Sequence, residues 1–172
     1  LPELLTELCQ IDGLHWIRTL YTYPDRITDK LLDVIAKEEK LVKYLDIPIQ
    51  HVNGEILKKM NRKGDKESLS ALIDKIRAKI PEITLRTTLI TGFPGETEEQ
   101  FCEMAEFVKE KRFDRLGCFP YSAEEGTLAA EFDGQIDEQT KNDRMENIME
   151  MQMTIAAEKN EEKADTVTEV II

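Results

Sequence analysis

The chain has 172 residues, enough for one domain with a sizeable core, or for one domain and a piece of another. Its 41% hydrophobic and 34% charged residues describe a soluble globular protein and exclude a disordered one. No apolar run approaches the ~20 residues of a membrane span, and residues 1–5 lack the basic start and apolar stretch of a signal peptide. A formal net charge of −12 repels phosphate backbones, which disfavours nucleic acid and favours a basic partner. The chain does not begin with Met, so it reads as a part of something longer, with a cytoplasmic location as the default.

Residues 2–10 set Leu4, Leu5 and Leu8 on one helical face, and Gly13 marks the end. Residues 16–23 are rich in aromatic and β-branched types and predict a strand closed by Pro24. Thr28 is placed as an N-cap before a helical stripe of Leu31, Leu32 and Ile35. Residues 41–50 predict a second strand. Pro48 inside it removes a ladder donor and signals a bulge or a strand end near a site. A short helix over 54–60 is broken at 61–65, and a longer one follows with Leu69, Leu72, Ile73, Ile76 and Ile80 on one face.

The third strand spans 84–91 and runs into Gly92-Phe93-Pro94-Gly95. Thr97 and Gln100 then have capping-box spacing ahead of a stripe of Phe101, Met104, Ala105 and Val108. The fourth strand covers 115–122. A long acidic connection leads to a helix over 138–162 with Met145, Ile148, Met149 and Gln152 on one face. Residues 166–172 read as a strand that stops abruptly. Strand and helix alternate about four times, which predicts an α/β fold with a parallel sheet of right-handed βαβ units. Four strands are too few to close an eight-stranded barrel. The architecture is therefore a small open sheet or an arc of a larger barrel, and an arc would leave strand edges open to self-association.

In such folds chemistry sits at the C-terminal ends of the strands. Those ends are 21–24, 47–51, 90–96 and 119–122. The period of two puts Asp46, Pro48 and Gln50 on one face, Arg86, Thr88, Ile90 and Gly92 on another, and Gly117, Phe119 and Tyr121 on a third. Gln50 and Arg86 suit ribose hydroxyls and a carboxylate, and Gly92 admits close approach of a ligand to backbone. The competing reading pairs Arg86 with Asp46 inside the protein. Glu96, Glu98 and Glu99 complement the dipole of the helix they precede and argue against phosphate there. His51 is expected to cap an element or lie at the surface. Cys9, Cys102 and Cys118 have no short ligand spacing and read as reduced, small hydrophobes, so no metal site is expected in this segment.

Several stretches carry a resemblance in their order and spacing: Tyr21-Thr22-Tyr23-Pro24, Asp46-Ile47-Pro48-Ile49-Gln50-His51, Leu57-Lys58-Lys59-Met60-Asn61-Arg62, residues 86–97, Phe113-Asp114-Arg115-Leu116-Gly117 and residues 121–127. Together they resemble the radical-SAM methylthiotransferase family, along nearly the whole chain. Asp46-Ile47-Pro48-Ile49-Gln50-His51 and Arg86-Thr87-Thr88 look like its ribosomal-protein branch rather than its tRNA branch.

The resemblance implies a partial TIM-like barrel over 1–163 and the start of a C-terminal TRAM-like β domain over 164–172. It implies a transferase that adds a methylthio group to the β-carbon of an aspartate in a basic small-subunit ribosomal protein. It implies S-adenosylmethionine and two four-iron–four-sulfur clusters in the intact parent. One cluster would cleave S-adenosylmethionine to a 5′-deoxyadenosyl radical, which takes a hydrogen from the aspartate β-carbon. By position, Gln50, Arg86, Gly92 and Phe93 would contact S-adenosylmethionine, with Phe119 and Tyr121 behind the adenine. The family's cluster-binding cysteines have no counterpart here, so the segment alone is expected to be inactive. A tRNA methylthiotransferase piece and a non-catalytic α/β binding module remain the alternatives.

Overall fold

The computed structural model describes residues 1–167, 169 and 170. Helix α1 (Pro2–Cys9) opens the chain, and α2 (Asp29–Lys37) follows, with the Thr28 hydroxyl accepting the Leu31 N–H at 3.2 Å. Next come β1 (Tyr44–Asp46), α3 (Gly54–Lys59), α4 (Lys66–Lys79) and β2 (Thr84–Thr91). Then α5 (Glu98–Lys111), β3 (Arg115–Pro120) and α6 (Glu138–Glu161) complete the order. The sheet is parallel throughout, in the order β1-β2-β3.

The predicted strand over 84–91 is β2 to the residue, and the capping box of Thr97 and Gln100 is formed at the start of α5. Along β2 burial alternates strictly. Leu85, Thr87, Leu89 and Thr91 face the helices, whereas Thr84, Arg86, Thr88 and Ile90 face an open side. On the helix side, Leu45, Leu85 and Leu89 pack with Leu32, Ile35, Ile76, Met104 and Phe107 into one core. α6 covers β3 and part of β2 and also packs on α5.

Residues 16–23 do not form the predicted strand. They form one isolated parallel bridge, Ile17 to Leu41, ahead of β1, and meet β1 through Arg18 over the Tyr44 ring and through the Thr22 N–H, which donates to Asp46 O at 2.8 Å. Tyr21 has φ +60°, which breaks the extended run between those contacts. Strand propensity measures fit to a pleated, half-buried surface, and here Leu20, Tyr21 and Tyr23 are exposed.

The second strand is shorter than 41–50, and Pro48 supplies the reason. β1 pairs Asp46 with Arg86, whereas the next bridge pairs Gln50 with Leu89. Four steps on one strand thus match three on the other, which is a bulge of one residue. Pro48 offers no N–H, and the Thr87 hydroxyl donates to Ile47 O at 2.9 Å inside the gap. A 3₁₀ turn at Leu128–Glu131 interrupts the acidic connection and was not expected. The strand expected over 166–172 falls partly outside the described residues; Thr166, Val167, Glu169 and Val170 have no strand pairing.

Asp114 ties the sheet to α6. Burial pushes its carboxyl up, but the Leu85 N–H and the Lys159 ammonium, each at 2.9 Å, together hold it below the usual carboxylate range. A depressed folded value contributes stability that is present above the unfolded value of about 3.9 and lost as pH falls through the folded one. Asp114→Asn should therefore flatten the loss of stability below pH ~4, read as denaturant midpoints across an acid titration. A variant with the wild-type acid profile would remove Asp114 from the account.

Candidate functional site

The open face of the sheet ends in a cleft of about 520 Å³ at the C-terminal ends of β2 and β3. Its floor is Gln50, Thr88 and Ile90, and its walls are Phe93, Phe119 and Tyr121. Phe93 meets Tyr121 edge to face at 5.2 Å, and Ile56 packs with both to form a second, small apolar cluster beneath the cleft. Lys59, Met60 and Arg62, from the end of α3 and just beyond it, form the opposite lip.

The bulge and the Gln50 backbone decide where that side chain goes. Gln50 has φ +69°, so its amide joins Thr88 and Ile90 in the floor although its backbone bridges to Leu89. Among the described residues, two buried polar atoms in this wall have no partner, Gln50 Oε1 and the Tyr121 hydroxyl. Buried polar atoms are nearly always satisfied, so both are open to a hydrogen bond with a bound group or water.

Behind the cleft lies a buried ionic network. The Glu96 carboxylate accepts the Gly92 N–H at 3.0 Å and the Arg144 guanidinium at 2.7 Å. His51 Nε2 lies 3.3 Å from Glu96 Oε2 but off the hydrogen-bond direction, while its Nδ1 accepts the Asn53 N–H at 2.9 Å. His51 and the Glu96 carboxylate are fully buried. Arg144 also reaches Glu98 at 3.0 Å. The network holds the residues next to two wall residues: His51 follows Gln50, and Gly92 precedes Phe93.

Of the residues singled out in the sequence, Gln50, Phe93, Phe119 and Tyr121 come together in the cleft wall. Gly92 is buried one residue earlier and is held by Glu96. Arg86 lies on the same open face, outside the cleft wall, and donates to Asp46 at 2.9 Å, which is the internal pairing weighed in the sequence. His51 is not a surface residue; it is buried against Glu96, itself buried, and its Nδ1 accepts the backbone N–H of Asn53 at the start of α3. The lip of Lys59, Met60 and Arg62 was missed as a site. Its signal was available, since the 57–62 motif follows directly on the strand that carries Gln50.

The cysteines are separate. Cys9 and Cys118 are buried and Cys102 is exposed. Burial pushes the Cys118 thiol up to about 12, so it is protonated and inert at neutral pH. Among the described residues, no group of three or more His, Cys, Asp or Glu is arranged to hold a metal ion. No described helix is long and apolar enough to cross a membrane.

The Radical SAM superfamily pattern matches residues 1–108. The chain is 50% identical over all 172 residues to the ribosomal protein uS12 methylthiotransferase RimO of Alkaliphilus oremlandii (strain OhILAs) and 49% identical to that of Geobacter sulfurreducens. It spans 39% and 38% of those proteins. Among solved structures it is similar to the Escherichia coli coproporphyrinogen III oxidase HemN, a radical SAM enzyme. The TM-score is 0.69 with 26% identity, covering 90% of this chain and 36% of that one.

Proposed function

This chain belongs to the radical SAM superfamily, its sheet being an arc of a TIM-like barrel, and from that premise we propose that it is the S-adenosylmethionine-binding part of a uS12 aspartate methylthiotransferase. The carrying observation is the cleft at the strand ends, with its apolar walls and two unpartnered polar atoms.

The cleft fits S-adenosylmethionine in kind. An adenine needs flat apolar walls, which Ile90, Phe93, Phe119 and Tyr121 supply. Gln50 Oε1 lacks a donor, and ribose hydroxyls are donors. Arg86 is held by one bond to Asp46 on the adjoining open face, and its guanidinium fork has further donors for the cofactor carboxylate. Gly92 and Phe93 form the turn that closes the far wall, braced by Glu96.

When bound, S-adenosylmethionine and its iron–sulfur cluster supply the radical chemistry at the aspartate β-carbon. This chain's residues bind and orient the cofactor and keep water off its apolar side. In this reading residues 1–163 are barrel and 164–172 begin a TRAM-like domain. The intact protein carries two four-iron–four-sulfur clusters ligated outside this segment and works in the cytoplasm on its basic ribosomal partner. The segment alone has no turnover, and its open strand edges favour self-association.

In the full-length protein Gln50→Ala should weaken S-adenosylmethionine binding by roughly three- to tenfold, the effect of losing one neutral hydrogen bond, and Arg86→Ala by roughly tenfold to a hundredfold, the effect of losing a charged one. Isothermal titration of the cofactor reads this directly. Wild-type affinity in both variants would remove the cofactor from this cleft.

A further inference from the structure

Lys59 ends α3 and reaches the lip of the cleft. Its ammonium lies against Gly95, where an added Cβ would stand 2.6 Å from Nζ. The other cations that line or back the cleft are engaged. Arg62 donates to Pro48 O and lies 4.7 Å over the Tyr23 ring. Lys141 pairs with Glu138 at 2.6 Å and lies over Tyr121, and Arg144 is held by Glu96 and Glu98. Lys59 has no ion pair or hydrogen bond among the described residues, although Asp133 lines the same small notch beside Pro94 and Phe132.

The cleft is sorted chemically from floor to lip. At the floor, Gln50 Oε1 is an acceptor without a donor. A carboxylate, which only accepts, is mismatched there and suits an ammonium. The chain carries −12 overall, so an approaching acidic side chain is repelled except where a local cation offsets that field. Lys59 supplies that cation at the outer lip, where a macromolecule can reach it while the floor stays with a small ligand.

We propose that Lys59 grips the carboxylate of the acceptor aspartate and is a specificity-determining residue for the protein substrate. The assignment rests on the reading of this chain as part of an aspartate methylthiotransferase. A neutral asparagine at the acceptor position offers no charge to the ammonium, so Lys59 separates the two side chains although they are nearly the same size.

The test uses the full-length protein with its clusters, S-adenosylmethionine, and an acceptor-loop peptide carrying either aspartate or asparagine. Lys59→Met should raise the Kd and KM of the aspartate peptide by about tenfold to a hundredfold, the span of a charged hydrogen bond. Cofactor Kd should stay at the wild-type value. The preference for the aspartate peptide over its asparagine twin should shrink in the binding measurement, and Lys59→Arg should restore most of it. A raised cofactor Kd with unmoved peptide binding would overturn the proposal by giving the ammonium to S-adenosylmethionine, and so would no change in either. A wild type that binds the cofactor yet leaves the aspartate peptide unmodified overturns the methylthiotransferase reading itself, and the Lys59 assignment with it. A wild type that modifies the peptide, with Lys59→Met binding and modifying it equally well, overturns only the assignment.

Discussion

Glu96→Ala is expected to destabilise the protein by about 3–5 kcal/mol, the cost of removing one partner from a buried charge pair. The Glu96 carboxylate is fully buried and is the common partner of Arg144 and the Gly92 N–H, with His51 beside it. Without it, Arg144 keeps Glu98, which is largely exposed, and a 3.3 Å bond to the backbone carbonyl of residue 96, and a buried backbone donor loses its acceptor. Glu96→Gln keeps the shape and one acceptor, so it should cost less. The net worth of the pair in the wild type is a separate matter, because desolvation offsets much of the attraction. Denaturant midpoints of the two variants and the wild type check the order. A Glu96→Ala protein of wild-type stability would mean that water enters and solvates Arg144 and His51.

How far the fold could be read before the structure depends on which residues carried the signal. β2 was legible end to end because its core side is buried at every second residue and Pro81 and Gly92 punctuate it. Pro48 announced its bulge because a missing N–H is a local fact. The stretch at 16–23 misled because aromatic composition reports a preference and says nothing of whether a neighbour is there to pair with. α6 was legible as a helix, and of the face read for it Ile148 and Gln152 are buried while Met145 and Met149 pack at the edge of the core; Lys141, Arg144 and Ile155 were not seen as inward. Its inward residues are Lys141, Arg144, Ile148, Gln152 and Ile155, and three of the five are polar. Gln152 is inward because its amide donates to Phe113 O at 3.0 Å, and Arg144 because of Glu96. Those partners lie about forty residues away or more, so no window of sequence holds both halves.

The site shows the same division. Gln50, Phe93, Phe119 and Tyr121 could be placed because strand ends follow from local pattern, although it is the bulge and the positive φ of Gln50 that turn its amide into the floor. The depth of His51 could not, since a histidine after a strand reads alike whether solvent or a buried carboxylate faces it. Arg86 offered both a ligand role and an internal partner, and the parallel register that pairs Asp46 with Arg86 is what brings that partner within reach.

The turn after β2 gives the second large effect. Gly92→Ala should cost about 2–5 kcal/mol, the sum of a left-handed residue, ~1–2, and an overpacked contact, ~1–3. Gly92 has φ +70°, and an added Cβ would overlap the Lys141 side chain and come within 3.3 Å of its Cα. That neighbour cannot swing away. Lys141 is buried, and its carbonyl accepts the Thr91 hydroxyl at 3.1 Å, so the start of α6 is fixed to the end of β2. Gly126→Ala is the control, because Gly126 has φ +79° but nothing within 4 Å of an added Cβ. It should pay the conformational part alone. If the two variants lose equal stability, the contact with Lys141 carries no energy. If Gly92→Ala loses the larger amount, Phe93, the next residue, should shift with it, and S-adenosylmethionine affinity should fall in that variant while Gly126→Ala keeps the wild-type value.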